Sequence, residues 1–202
     1  MRILVIGGLG SVGGRYVAIL KYFGHEPVVY DLNNPDCGVE YPNDDWEKAI
    51  VATPTDTHYY YCKKLIAKGK PFLVEKPMSK NLKECQELVD LDTNKLGHVV
   101  CNYKYMLNAK ENSLMYDYYK TGNDGLYWDL AQLIYLHPGM IIKTDSPFWK
   151  FENYGRNIPY FSLEQSYMEM IGNFVEGKYE ELWSLQQGLD MTIAVIERMG
   201  KA

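Results

Sequence analysis

The stretch RILVIGGLGSVGG, residues 2–14, sets a short apolar run directly against a glycine turn. Such a run, ending in glycines, is the pattern of a parallel strand buried on both faces. Gly8-Leu9-Gly10-Ser11-Val12-Gly13 fits G-x-G-x-x-G at the point where a helix should begin. The first two glycines permit a tight turn and close approach of the backbone to a pyrophosphate. Gly13 lets helix and strand pack closely, and the helix N-terminus at Ser11 and Val12 attracts phosphate charge. Asp31 stands at the tip of the second expected strand, 18 positions past Gly13. A carboxylate there accepts hydrogen bonds from an adenosine ribose and repels a 2′-phosphate, which favours NAD over NADP. The alternatives are a glycine turn beside a solvated aspartate, and an S-adenosylmethionine site, which shares the loop and the acidic tip.

Outward from this stretch, strands and helices alternate. Val12, Tyr16, Ile19, Leu20 and Phe23 are spaced as a helix that Gly24 can stop. Strands are predicted at 27–31, 49–53, 71–75 and 98–101, with a polar loop over 32–47 that has room for a short strand near Val39. Asp56 or Thr57 can cap a helix running to Gly69, and Ser79 can cap one carrying Leu82, Cys85, Leu88 and Val89 on one face. This alternation predicts a Rossmann-type α/β fold, a parallel sheet with helices on both faces, over residues 1–103. Residues 104–202 form a smaller α+β region. There, 104–120 reads as helical, 125–137 as helical or mixed, and 140–160 as irregular. Ser162-Leu163-Glu164-Gln165 has the form of a capping box for a helix to Val175, and a last apolar stripe runs from Leu182 to Ile196.

Composition narrows the function classes. With 202 residues, 47 % of them apolar, the chain can bury a core without disulfides or metal. A net charge of −5 with no basic face argues against nucleic acid as a partner. The four cysteines and four histidines show no closely spaced pair, so no metal site is expected. No apolar run reaches the ~20 residues that span a bilayer, so no membrane role is expected. Met1-Arg2 leads straight into the first strand, which predicts no leader and a cytoplasmic location.

Two more segments lie where parallel strands end, the edge at which open α/β sheets bind ligands. Ala52-Thr53-Pro54-Thr55-Asp56-Thr57-His58 follows one strand and Val74-Glu75-Lys76-Pro77 ends the next. Lys76 can donate a proton or hold a substrate oxygen if its pKa is lowered; alone, it would read as a surface lysine. Together, GGLGSVGG, Asp31, ATPTDTH and VEKP resemble the glucose–fructose oxidoreductase / inositol dehydrogenase (Gfo/Idh/MocA) family of nicotinamide-dependent enzymes. The resemblance covers residues 1–103 and continues more faintly through Gly125–Leu130 and 161–199. It implies that Gly8, Gly10, Ser11, Val12 and Gly13 hold the pyrophosphate of NAD and Asp31 the adenosine ribose. Thr53, Pro54, Thr55 and His58 would border the nicotinamide side, and Glu75 would support the cofactor ribose. Lys76 would be the catalytic lysine, also touching substrate, while Asp129 matches an aspartate of the family's substrate motif. Tyr103, Lys104, Tyr105 and Gln132 are candidates to line the substrate pocket, the alternative being that aromatic residues just after a strand belong to the core.

The departures are equally specific. Four residues past that aspartate the family carries an acid/base histidine; here the position is Leu133, with Ala131 in place of a glycine. His137 lies one turn on, a catalytic candidate or a helix cap. The 32 residues between Asp129 and Ser162 leave room for two or three short strands, not for the large open sheet of the family's second domain. Two readings follow. One is an NAD-dependent oxidoreductase moving hydride between nicotinamide and a hydroxyl or carbonyl carbon of a sugar-like or cyclitol small molecule. The other is a non-catalytic NAD-binding protein, a sensor or assembly partner, and association into a homo-oligomer is left open by both.

Overall fold

The computed structural model describes residues 1–32, 43–106, 116–119, 126–136, 141–143, 150–153, 156–157 and 160–200. The expected strand near Val39 lies outside the described residues, and so does His137. Two compact units are formed, one from 1–100 with 170–189 and one from 101–169 with 190–202. Beside an expected boundary at 103, then, residues 170–189 belong with the first unit.

The first unit is a six-stranded sheet. Its strands are β1 (Arg2–Ile6), β2 (Glu26–Tyr30), β3 (Lys48–Val51), β4 (Phe72–Val74), β5 (Gly97–Val99) and, from the far end of the chain, β10 (Trp183–Ser184). They lie in the order β10-β5-β4-β3-β1-β2. The first five pair in parallel, with Leu4 beside Val28 on one side and Ala49 on the other. Ile3 to Ile6, Ala49 to Val51 and Phe72 to Val74 are wholly buried, as strands covered on both faces require. β10 departs from the expected parallel sheet: Trp183 and Ser184 pair antiparallel with Val99 and His98. The last helix therefore begins at Leu185 rather than Leu182. An antiparallel edge strand whose partners lie 84 and 86 residues away has no local signal beyond two residues of sequence.

The connecting helices form where periodicity placed them: α1 (Ser11–Tyr22), α2 (His58–Lys68) and α3 (Leu82–Leu91). Gly24 ends α1 with φ +75°, and the N–H of His25 bonds back to the carbonyl of Leu20. A short 3-10 turn, Thr55–Thr57, precedes α2 where a side-chain cap was expected. Asn81, not Ser79, caps α3, its side chain accepting the Lys83 N–H at 3.0 Å. Ser79 sits two residues too early for that role; its hydroxyl accepts the Asn81 N–H and donates to Glu84.

The second unit contains α4 (Tyr103–Met106), α5 (Leu126–Asp129) and α6 (Ala131–Leu136). It also holds a four-stranded sheet of β6 (Tyr116–Tyr119), β7 (Ile141–Lys143), β8 (Lys150–Asn153) and β9 (Arg156–Asn157), in the order β7-β6-β8-β9. Here two expectations fail. Residues 104–120 are not one helix, and 140–160 are not irregular throughout. Tyr116 to Tyr119 is a tyrosine-rich segment that suits a strand once β7 and β8 flank it, and that pairing is non-local. Three short strands between Asp129 and Ser162 match the room available. Two long helices complete the chain, α7 (Tyr160–Glu176) and α8 (Leu185–Arg198). Among the described residues, no helix is long and apolar enough to cross a membrane.

Candidate functional site

The glycine loop is shaped by backbone contacts. Gly7, between β1 and the G-x-G-x-x-G segment, has φ +84°, and a Cβ there would meet the Ala52 carbonyl oxygen at 2.7 Å. Gly13 lies in the first turn of α1, where a Cβ would stand 2.1 Å from the Gly7 carbonyl oxygen. Only a hydrogen at both positions lets α1 start this close to β1 and β3. The first turn of α1 has no side-chain cap, and Gly14 makes its first helical bond, to Gly10. The amides of Ser11, Val12 and Gly13 precede that first bond, which makes this helix end a natural anion site.

Beside this loop is a cleft of about 460 Å³, within the ~300–1,000 Å³ usual for small-molecule sites. It opens between β1 and β3, where the chain turns from one half of the sheet to the other. Gly7, Gly10, Asp31, Thr53 and Pro54 line it, a set drawn from the ends of three strands. Asp31 is 7 % exposed, and its Oδ2 accepts the N–H of Leu9 at 3.0 Å, so loop and acid hold each other. Leu9 and Leu32 lie at this cleft with exposed side chains, and Tyr30, Thr57 and Tyr61 complete the wall. None of these five is a predicted site residue, although Leu9 stands within the glycine motif and Thr57 within the ATPTDTH turn. Tyr61 is the plainest omission, because nothing local distinguishes it from its neighbours Tyr59 and Tyr60 on α2. Burial, then the neighbouring Tyr30, pushes the Tyr61 phenol upward, so it stays protonated at neutrality.

Gly8 packs against Val29 instead of lining the cleft. Thr55, Asp56, Ser79 and Lys80 border a separate polar hollow. His58 is 1 % exposed and does not face the cleft; its Nδ1 lies 2.9 Å from the Pro77 carbonyl oxygen and its Nε2 2.7 Å from that of Thr53. Burial lowers its pKa, opposed by those two carbonyls and by Glu75 and Asp56. Lys76 follows β4 at the same sheet edge and is half-buried. Glu75 accepts a hydrogen bond from the Tyr16 hydroxyl, and its other oxygen accepts the Lys76 N–H at 3.1 Å.

The remaining candidates belong to the second unit. Gln132 is 1 % exposed, and its amide is used internally, accepting the Tyr103 N–H at 3.0 Å and donating to Asn102 at 2.9 Å. That network continues from Asn102 to Ser166 and makes Gln132 a brace for the backbone of α4. Asp129 is exposed. Burial first, then the charge of Asp129, pushes the Tyr103 phenol up to about 12, so it does not exchange a proton near neutrality. Leu133 is fully buried. Among the described residues, no three His, Cys, Asp or Glu side chains gather as metal ligands would.

Comparison with known proteins points the same way. Residues 39–103 match the model of the Gfo/Idh/MocA oxidoreductase family, described by its NAD-binding Rossmann fold. A glycosyl hydrolase family 109 protein of Streptomyces coelicolor is 29 % identical over 100 residues, which are 46 % of this chain and 21 % of that protein. This chain therefore matches about a fifth of that relative's length. Among solved structures, a myo-inositol dehydrogenase from Corynebacterium glutamicum aligns with a TM-score of 0.75 at 11 % identity, covering 100 % of this chain and 96 % of that one. The WlbA dehydrogenase of Thermus thermophilus, solved with NAD and UDP-GlcNAcA, gives 0.70 at 13 % identity over 98 % and 94 %. A UDP-N-acetylglucosamine 3-dehydrogenase from Acidithiobacillus ferrooxidans gives 0.72 at 12 % over 100 % and 97 %. At these identities the likeness is one of fold.

Proposed function

We propose that this chain, whose residues 39–103 match the model of the Gfo/Idh/MocA oxidoreductase family, binds NAD and transfers hydride to or from a polyhydroxylated small molecule. The observation that carries this reading is the cleft itself: an uncapped helix N-terminus and a buried, loop-anchored Asp31 face one hollow at the carboxyl edge of the sheet. These residues fit the cofactor. The cradle around Gly7 and Gly13 excludes side chains, and Asp31 stands where an adenosine ribose would need an acceptor.

In this reading the amides of Ser11, Val12 and Gly13 and the close approach allowed by Gly10 hold the pyrophosphate, while Gly8 packs the loop against Val29. Asp31 accepts from the ribose hydroxyls, and Thr53 and Pro54 form the opposite wall. Bound NAD supplies the hydride acceptor or donor. Lys76 holds the substrate oxygen and takes or returns its proton. Glu75, tied to Tyr16 and to the Lys76 amide, serves first to shape that turn. Most members of the resembled family act on sugars, sugar derivatives or cyclitols, so a polyol is the first substrate class to try.

A second reading, a non-catalytic NAD-binding protein, draws on a different observation. The position of the family histidine is a fully buried leucine, Leu133, and the nearby Tyr103 phenol is held near 12. One experiment separates the readings. Purified protein is titrated calorimetrically with NAD, then assayed for NADH formation with myo-inositol and UDP-N-acetylglucosamine across pH 6 to 10, roughly the span of histidine and lysine acids. Binding with turnover supports the oxidoreductase. Binding without turnover favours the second reading, and no binding removes both.

A further inference from the structure

The turn that carries Lys76 is held from both sides by side chains that lie outside the cleft. On the near side, Tyr16 of α1, fully buried, donates its hydroxyl to Glu75, whose other carboxylate oxygen accepts the Lys76 N–H. On the far side, the carbonyl of Pro77 lies against His58 Nδ1, while His58 Nε2 reaches the carbonyl of Thr53 in the neighbouring turn. We propose that Tyr16 and His58 are positioning residues that lock the 75–77 turn, and with it Lys76, to α1 and to the Thr53 wall of the cleft.

The chemistry of the two side chains supports this. A hydroxyl or imidazole buried this deeply costs stability unless it is bonded, and a well-satisfied buried polar group selects one arrangement of what it bonds. Tyr16 spends its hydroxyl on Glu75, immediately before Lys76. Neutral His58 has one N–H, which we place on Nδ1, donating to the carbonyl of Pro77, immediately after it. A lysine ammonium sits on a flexible four-carbon stem, so its placement depends on how firmly its backbone is held. Misplacing a reacting group by ~1 Å can cost about a hundredfold in rate. The proposal rests on the reading of Lys76 as the proton-handling group, but the lock can be measured without turnover.

The test is amide hydrogen exchange of the intact protein, followed by NMR, with calorimetric NAD titration of each variant. Losing one hydrogen bond of ordinary strength should speed exchange at the Lys76 amide about tenfold in Tyr16→Phe and in His58→Gln. The amides of Leu4 and Val5, and the affinity for NAD, should change less than about twofold, since neither β1 nor the glycine loop is touched. His58→Asn should keep Lys76 near wild type, because an asparagine amide reaches the Nδ1 position facing Pro77 and a glutamine amide the Nε2 position. Unchanged Lys76 exchange in Tyr16→Phe overturns the proposal. So does equal acceleration at Leu4 and Val5, which would mark a general loss of stability, and so does identical behaviour of the Asn and Gln variants. Tyr16→Phe removes one oxygen and keeps the ring, so it carries the test if the His58 variants do not fold. Turnover retained in Lys76→Ala would sink the catalytic reading of Lys76, while the exchange result decides the lock independently.

Discussion

Gly13 and Gly14 are neighbours in α1 and should respond to alanine with opposite signs. At Gly13 the added Cβ would lie 2.1 Å from the Gly7 carbonyl oxygen, 2.8 Å from its carbon and 2.9 Å from Gly8 Cα, all of it backbone. The start of α1 must retreat by roughly 1 Å to restore contact distance, an overpacking cost of about 3 kcal/mol. Alanine's better helix propensity returns about 1 kcal/mol, leaving a loss of about 2 kcal/mol. At Gly14 the same Cβ meets only the Gly8 carbonyl oxygen, at 3.8 Å, an ordinary contact. Propensity acts alone there, for a gain approaching 1 kcal/mol. At roughly 2–4 °C per kcal/mol for a chain of this size, Gly13→Ala should lower Tm by about 4–8 °C, and Gly14→Ala should raise it by about 2–3 °C. Thermal unfolding by circular dichroism measures both, and NAD titration of Gly13→Ala should show weaker binding as the helix end withdraws. Equal Tm shifts in the two variants, or a neutral Gly13→Ala, would refute the packing argument.

If Asp31 faces the ribose, NAD should bind at least about tenfold more tightly than NADP, a difference of about 1.4 kcal/mol, and Asp31→Ser should erase the preference. Calorimetry with both nucleotides checks this, and a wild type that favours NADP would place Asp31 elsewhere. Lys76→Ala should lower turnover about 10²–10⁴-fold while NAD affinity holds, the pattern of a lost acid–base group; steady-state kinetics beside a binding titration reads it. His98 is buried and stacked on Tyr179 at 4.9 Å, and burial first, then the charge of Lys48, lowers its pKa from 6.5 to about 4. The unfolded chain therefore binds the extra proton before the folded one does. Stability should fall by about 3 kcal/mol as pH drops from 6.5 to 4, and His98→Phe should remove that part of the slope in urea titrations.

What the sequence settled by itself is local in origin. Five short apolar runs, the helical spacings between them and the glycines at 8, 10, 13, 24 and 69 act within a few residues, so β1 to β5 and α1 to α3 could be read from them. The same locality carried the glycine loop, Asp31 and the Thr53-Pro54 turn, which the structure gathers at one cleft. Tertiary structure decided whatever depends on distant partners. β10 is a strand only because β5 offers an edge, and Tyr116 to Tyr119 is one only because β7 and β8 flank it. Gly7, just before the motif, bears a positive φ, and the Ala52 carbonyl and Gly13 leave no room there for a side chain. Gln132 was read as a pocket residue and His58 as a cofactor neighbour. Both turned inward, since a buried amide or imidazole goes where backbone groups can satisfy it, and which groups those are is known only once the chain is folded.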